Sequence, residues 1–180
     1  MFVDGGGFDG FTSQEFVVRC PDYSAIHFFE PSAEMLIAAK SKLSELTRIH
    51  YHQVGLYDNN STLSFDSNAG SASRISENGN EKIQVARLDD VVGDAVSFVK
   101  LDLEGAEPAA LKGMKRHIMA DHPKLAVAVY HHPSHFWKIP QYVLGLRRDY
   151  RLYLRHYTEG WTETVMFFVP KSGLGSKFGQ

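Results

Sequence analysis

Residues 1–10 read MFVDGGGFDG, and the fold of the whole chain turns on how this stretch is taken. Phe2 and Val3 read as the end of a buried strand, and the glycine run behind them as a tight turn into a helix opening near Thr12. Glycine is needed where a left-handed or closely approached backbone excludes a Cβ, and a helix start offers free N–H groups to polar parts of a ligand. This is nucleotide-binding geometry, and it carries two patterns. Gly5, Gly7 and Gly10 satisfy G-x-G-x-x-G, and Glu30 stands twenty residues beyond Gly10, where a dinucleotide fold keeps its ribose-binding acid, so this pattern points to NAD. Asp4, Gly6 and Gly10 also satisfy acid-x-Gly-x-x-x-Gly. A fixed carboxylate at the strand end repels a pyrophosphate and suits a cationic ligand with an amino-acid portion, so Asp4 favours S-adenosylmethionine. A glycine turn that binds nothing fits less well, because a strand, a loop, a helix and a second acid all fall in order.

The composition bounds the rest. With 180 residues, 43% hydrophobic and 12% aromatic, the chain can bury one sizeable core, and one domain is expected over 1–170, with a flexible tail over 171–180. A formal charge of −2, from 19 basic and 21 acidic residues, gives no footprint for nucleic acid. Cys20 is the only cysteine, which excludes an internal disulfide framework and a cysteine-based zinc site and makes a reducing cytoplasm the expected compartment. No apolar run approaches membrane-spanning length, and the N-terminus lacks a signal peptide's basic and apolar regions. The sequence starts inside its first strand, so either residues upstream of Met1 or a natural loss of the usual leading helix is expected.

Strands and helices alternate along the chain. Residues 12–19 form a helix with Phe16 and Val17 inward, and 25–29 (AIHFF) form a second buried strand that Glu30 and Pro31 stop. Ser32 is a plausible N-cap for the next helix, Glu34 sits in its first turn, and Leu36, Ala39, Leu43 and Leu46 make an apolar stripe at helical spacing. Glu30, at the carboxyl end of strand two, is placed to accept both hydroxyls of a ribose. Residues 49–56 (IHYHQVGL) read as a third strand whose His50 and His52 face solvent or a neighbour, with no matching third ligand for a metal. Short strands follow at 61–66 and 83–86. Between them, the polar segment 67–81 is either a lid over a site or a plain surface loop. Asp89 or Asp90 caps a brief helical turn.

The second informative block is 96–113, VSFVKLDLEGAEPAALKG. A strand through Val96, Phe98 and Val99 leads to Asp102, Glu104 and Gly105, and Glu107 and Pro108 open a helix that Gly113 closes. Glu107 is well placed to satisfy N–H groups at the helix start. Asp102 and Glu104 are not needed there, which leaves them for a ligand or for proton handling.

Residues 2–10 (FVDGGGFDG), 27–31 (HFFEP), 87–90 (RLDD) and 98–113 (FVKLDLEGAEPAALKG) together resemble the FkbM family of S-adenosylmethionine-dependent methyltransferases. The last third adds 127–133 (VAVYHHP), 154–157 (LRHY) and Glu163 with Thr164. The resemblance implies an α/β, Rossmann-like class I methyltransferase fold: a mostly parallel seven-stranded sheet with an antiparallel strand near the C-terminus and helices on both faces. The final strands at 150–156 and 164–169, joined by a loop holding Gly160, suit that ending better than they suit a dinucleotide fold. The resemblance further implies a cofactor site of Asp4, Gly5, Gly6, Gly7, Gly10, Glu30 and Pro31, with Gly55 and Leu56 near the adenine and Asp102 near the reacting methyl. This chain departs from many relatives at Phe8, where they carry asparagine, and at Tyr130, where they carry glutamate.

Methyl transfer requires alignment of an acceptor oxygen, exclusion of water and removal of one proton. Asp102, Glu104 and His131 are the candidate catalytic residues, His131 being the natural base at the end of the 126–130 strand. His132, His135 and His156 are weaker candidates. A divalent ion held by Asp102, Glu104 and His131 against a diol is a minor alternative, because the three lie in distant segments without a recognisable ligand spacing, and no metal site is assigned. The expected function is O-methylation of a hydroxyl on a sugar, glycan precursor or secondary metabolite, with no nucleic-acid or membrane partner and a homo-oligomer left open. An NAD-dependent oxidoreductase and a non-catalytic binding module are the alternatives.

Overall fold

The computed structural model describes residues 1–66, 74–76, 78–160 and 162–171. Much of the expected lid over 67–81, and all but the first residue of the expected tail over 171–180, lie outside the described residues. The first half of the chain holds β1 (Phe2–Gly5), α1 (Phe11–Arg19), β2 (Ile26–Phe29), α2 (Ala33–Lys42), β3 (Ile49–His52), β4 (Gly55–Leu56), β5 (Ser61–Asp66), β6 (Arg74–Ile75) and β7 (Glu81–Ala86). The second half holds α3 (Leu88–Val91), β8 (Phe98–Leu101), α4 (Glu107–Gly113), α5 (Lys115–Ala120), β9 (Lys124–Ala128), α6 (His135–Leu146), β10 (Tyr150–His156) and β11 (Thr164–Pro170).

Seven strands build the main sheet in the order β10-β11-β9-β8-β1-β2-β3. Neighbours from β9 to β3 pair parallel, whereas β11 runs antiparallel to both β9 and β10. A dinucleotide fold keeps every strand parallel, so inserting β11 between β9 and β10 separates the two architectures expected from the glycine loop. β4, β7, β5 and β6 form a second, smaller sheet.

Two-residue alternation decides what each face buries. Phe2, Ile26 and Phe28 pack with Leu36, Ala39 and Leu43 of the α2 segment and with Phe16 of α1. Val3, Phe29, Val99 and Leu101 pack on the other face with Leu111, Ile118, Ile139 and Val143 of α4, α5 and α6. Each fully buried side chain of this size contributes about 1.5–3 kcal/mol relative to exposure. The same alternation carries Asp4 and Lys100 onto the α1 face behind Phe2 and Phe98, and the β1–β8 register sets them side by side.

Ser32 caps α2 as expected, its hydroxyl accepting the Met35 N–H at 3.4 Å. Three local expectations differ from the structure. The strand expected over 49–56 breaks after His52. β3 stays on the main sheet's edge while β4 joins β7, which lets Leu56 reach the main core. The 98–113 block is followed by a further helix, α5. Asp89 caps this helix rather than its own turn, accepting N–H groups from Arg116 at 2.9 Å and His117 at 3.3 Å. Gly113 is the last residue of α4, so the helix ends where expected, and it also permits a close approach: a Cβ there would stand 1.9 Å from the Tyr57 carbonyl oxygen.

Candidate active site

At the end of β1 the chain turns through Gly6 at φ 70°, and a Cβ on this residue would meet the Asp102 carbonyl oxygen at 2.0 Å. Only glycine fits so close a crossing of the β1 and β8 ends. The Lys100 ammonium donates to the carbonyls of Gly6 at 2.6 Å and Gly5 at 3.3 Å. Asp4, fully buried, stands beneath it with Oδ1 3.4 Å from Lys100 Nζ and Oδ2 accepting from the Ser13 hydroxyl at 2.7 Å. Asp4 therefore fixes Lys100, the glycine loop and the start of α1.

Glu30 follows β2 and is 7% exposed. Its Oε2 accepts the Phe8 N–H at 3.0 Å and its Oε1 the Ser32 N–H at 2.9 Å. Burial raises its pKa against the pull of those two N–H groups. An ionised carboxylate has about four lone-pair positions, so about two remain for hydroxyl donors. Phe8 holds its N–H in place at φ 50°, a left-handed conformation that a bulky side chain rarely adopts.

The acidic end is built beyond β8. Glu104 at φ 50° and Gly105 at φ 104° turn the chain into α4. Glu107, fully buried, accepts N–H groups from Leu103 at 2.8 Å and Gly105 at 3.4 Å, so it shapes the loop that precedes its helix. The same Oε1 lies 2.8 Å from His131 Nδ1, and Oε2 lies 3.4 Å from His135 Nδ1. On its other side, His131 Nε2 stands 3.4 Å from Asp102 Oδ1 and 3.3 Å from Glu104 Oε2. None of these close approaches aligns as a hydrogen bond to either His131 ring nitrogen. The Tyr130 hydroxyl donates to Asp102 Oδ1 at 3.3 Å.

These neighbours set the charges. Burial alone would lower His131, but Glu104 and Glu107 outweigh it and hold its pKa up to about 10. These carboxylates favour a protonated His131 ring near neutrality. Burial would raise Glu107, yet His131 and the Leu103 N–H keep it below the usual carboxylate range. Burial raises Asp102.

One cavity of about 470 Å³ joins the two ends. Of the residues singled out from sequence, Gly6, Glu30, Pro31, Gly55, Leu56, Asp102 and Glu104 line it. Asp4, Gly5, Gly7, Gly10 and His131 do not line it. Phe65 of β5 and Ile83 of β7 bring an apolar wall from the smaller sheet. The alternation of these two strands signals an apolar face, but not where it docks. Lys100 was the other residue without an assigned role; its signal is a lysine at an inward position of a central strand, in register with Asp4.

The strand order and the cavity at the carboxyl ends of β1, β2 and β8 define a class I methyltransferase fold. The chain belongs to the methyltransferase FkbM domain family, whose family model matches residues 4–158. The FkbM methyltransferase of Methylobacillus flagellatus KT is similar over 93% of this chain and 43% of its own, with 27% identity and a TM-score of 0.81. The present chain thus spans less than half of that protein. Two more distant structures share the fold. An rRNA methylase from Streptococcus thermophilus has 15% identity and a TM-score of 0.58 over 94% of this chain and 85% of its own. Aeropyrum pernix fibrillarin, in complex with natively bound S-adenosyl-L-methionine, has 10% identity and a TM-score of 0.59 over 93% of this chain and 65% of its own. No curated protein sequence matches. Family membership supports S-adenosylmethionine as the cofactor. No helix among the described residues is long and apolar enough to cross a membrane.

Proposed function

We propose that this chain binds S-adenosylmethionine and methylates a hydroxyl oxygen of a small molecule or glycan. The observation that carries the reading is a cavity shared by Glu30 at one end and Asp102 and Glu104 at the other. Its volume lies in the range of small-ligand sites. The two lone-pair positions left on Glu30 suit the paired hydroxyls of a ribose, and the apolar wall of Leu56, Phe65 and Ile83 suits an adenine. When bound, the cofactor supplies an already activated methyl group, so the protein's task is alignment, desolvation and proton removal.

Asp102 and Glu104 face the cavity and His131 does not. The carboxylates therefore meet the acceptor hydroxyl, and Asp102, raised by burial, is the proton acceptor. The His131 cation steadies the negative charge beside it. Lys100 and Asp4 hold the loop that brings the β1 and β8 ends together.

Calorimetric titration with S-adenosylhomocysteine, with NAD in parallel, tests the reading. Saturable binding of the first alone is expected. Glu30→Gln should weaken it about 10- to 100-fold, the worth of hydrogen bonds to a charged group, about 1.5–3 kcal/mol. Binding of NAD alone, or of neither, overturns the assignment, and undiminished affinity in Glu30→Gln overturns the placement of the ribose.

A further inference from the structure

Asp102, Glu104 and His131 converge so closely that one ligand atom from each lies within 4.8 Å of the other two. We propose that these three side chains bind one divalent cation of the manganese or magnesium type, with Glu107 orienting His131 from behind. What the ion does there rests on the methyl-transfer reading, but whether it binds does not.

The spacing suits a single ion. Adjacent ligands around an octahedral cation at about 2.1 Å stand about 3 Å apart. His131 Nε2 is 3.4 Å from Asp102 Oδ1 and 3.3 Å from Glu104 Oε2, so small side-chain rotations complete the shell. The imidazole supplies the independent pointer: the ion would take the Nε2 position in place of the proton that the neighbouring carboxylates favour there. The His131 side chain is only 7% exposed, and its Nε2 lies between the two carboxylates without an aligned hydrogen bond to either, as Nδ1 lies beside Glu107. Buried polar atoms are rarely left in this state unless something else completes them.

Glu107 Oε1 lies 2.8 Å from His131 Nδ1 on the far side of the ring. A carboxylate behind a ligating imidazole fixes the ring's orientation and increases its basicity, the usual outer partner of a metal-bound histidine. Charge balance agrees: three carboxylates, Asp102, Glu104 and Glu107, surround one imidazole, while the Lys100 ammonium is engaged by Gly5, Gly6 and Asp4. Carboxylates with one imidazole suit manganese or magnesium, whereas soft metals select thiolates that this cluster lacks. Three protein ligands leave the remaining positions open, and Asp102 and Glu104 line the cavity. An acceptor presenting two neighbouring oxygens, such as a vicinal diol, fits those positions, and the ion would fix which hydroxyl is methylated.

The test is titration of the purified chain with manganese chloride, with free ion followed by electron paramagnetic resonance. One bound ion per chain is expected, displaced by excess magnesium, with nitrogen coupling from the imidazole in the pulsed spectrum. Glu104→Gln and His131→Gln should each weaken binding at least tenfold, and His131→Gln should abolish the nitrogen coupling. Circular dichroism melts of both variants verify that they fold. Absence of saturable binding, or unchanged binding in both folded variants, overturns the site. A parallel titration with S-adenosylhomocysteine separates the two readings. Ion binding without cofactor binding upholds the metal site and defeats the methyl-transfer reading, whereas cofactor binding without ion binding defeats the metal site alone.

Discussion

Glu30 and Asp102 stand at opposite ends of one cavity, each just beyond a parallel strand and each with its pKa raised by burial, yet they are held differently. Both oxygens of Glu30 accept main-chain N–H groups, so its position follows from the loop and the α2 start. Around Asp102 the contacts run from side chain to side chain at 3.3–3.4 Å, and neither nitrogen of the adjacent His131 has an aligned partner. Main-chain donors come with any helix start or turn, so the Glu30 carboxylate is oriented once the backbone forms. A cluster of side chains can keep polar valence open, and the Asp102 end does.

That contrast can be broken at its joint. Gly6→Ala acts on both ends, because its Cβ would meet the Asp102 carbonyl from a left-handed backbone. The left-handed cost of about 1–2 kcal/mol and overpacking of about 1–3 kcal/mol together predict the largest destabilisation of the set in urea. An unchanged midpoint would show that the ends are not joined through this crossing. Glu107→Ala should damage the acidic end alone, costing about 1–3 kcal/mol by leaving the Leu103 N–H without its acceptor, while Asp102 and Glu104 still face His131. S-adenosylhomocysteine affinity should fall less than about threefold, since the Glu30 contacts are untouched. A larger loss would merge the two ends into one cooperative unit.

A pH series sharpens the comparison further. The folded pKa of His131, about 10, lies above its ordinary 6.5. Its stabilising contribution is therefore full below 6.5 and lost as pH rises towards 10. The urea midpoint should fall across that window, and His131→Gln should flatten the slope; identical slopes would remove the ion pairs with Glu104 and Glu107 from the account. The smallest effect is expected at the Glu30 end. Phe8→Asn, at φ 50°, should gain about 0.5–1 kcal/mol, because asparagine tolerates the left-handed region, and a lower melting temperature would show that the Phe8 ring packs for more than its backbone costs.

Much of this site is local in the sequence. Glu30 follows a buried run and precedes a capped helix, and Asp102 and Glu104 follow another buried run, so parallel strands bring them to one edge of the sheet. The orientation of Asp4 was also readable in principle. Strand alternation puts position 4 on the same face as Phe2, under α1, and the sheet pairs it with Lys100. Charge arguments about the ligand pointed it the other way. The approach of Glu107 to His131 was not readable, because 24 positions separate them and only the parallel β8–β9 pairing sets α4 beside the end of β9. Nor could the pattern at 49–56 show that Leu56 belongs to the main core while Gly55 pairs in another sheet.

Gly113 gives α4 a further meaning. This helix starts at Glu107 and ends where Gly113 lies against the Tyr57 carbonyl, while the Tyr57 N–H donates to Ala86 at the root of the smaller sheet. Seven residues of helix make a spacer of about 10 Å between the carboxylate behind His131 and the base of the apolar wall. Helix length thereby sets the distance between those two points. One residue added to or removed from 107–113 would rotate Glu107 by about 100° relative to Tyr57 and misalign both walls. A change of length in the β10–β11 turn would leave that gauge untouched.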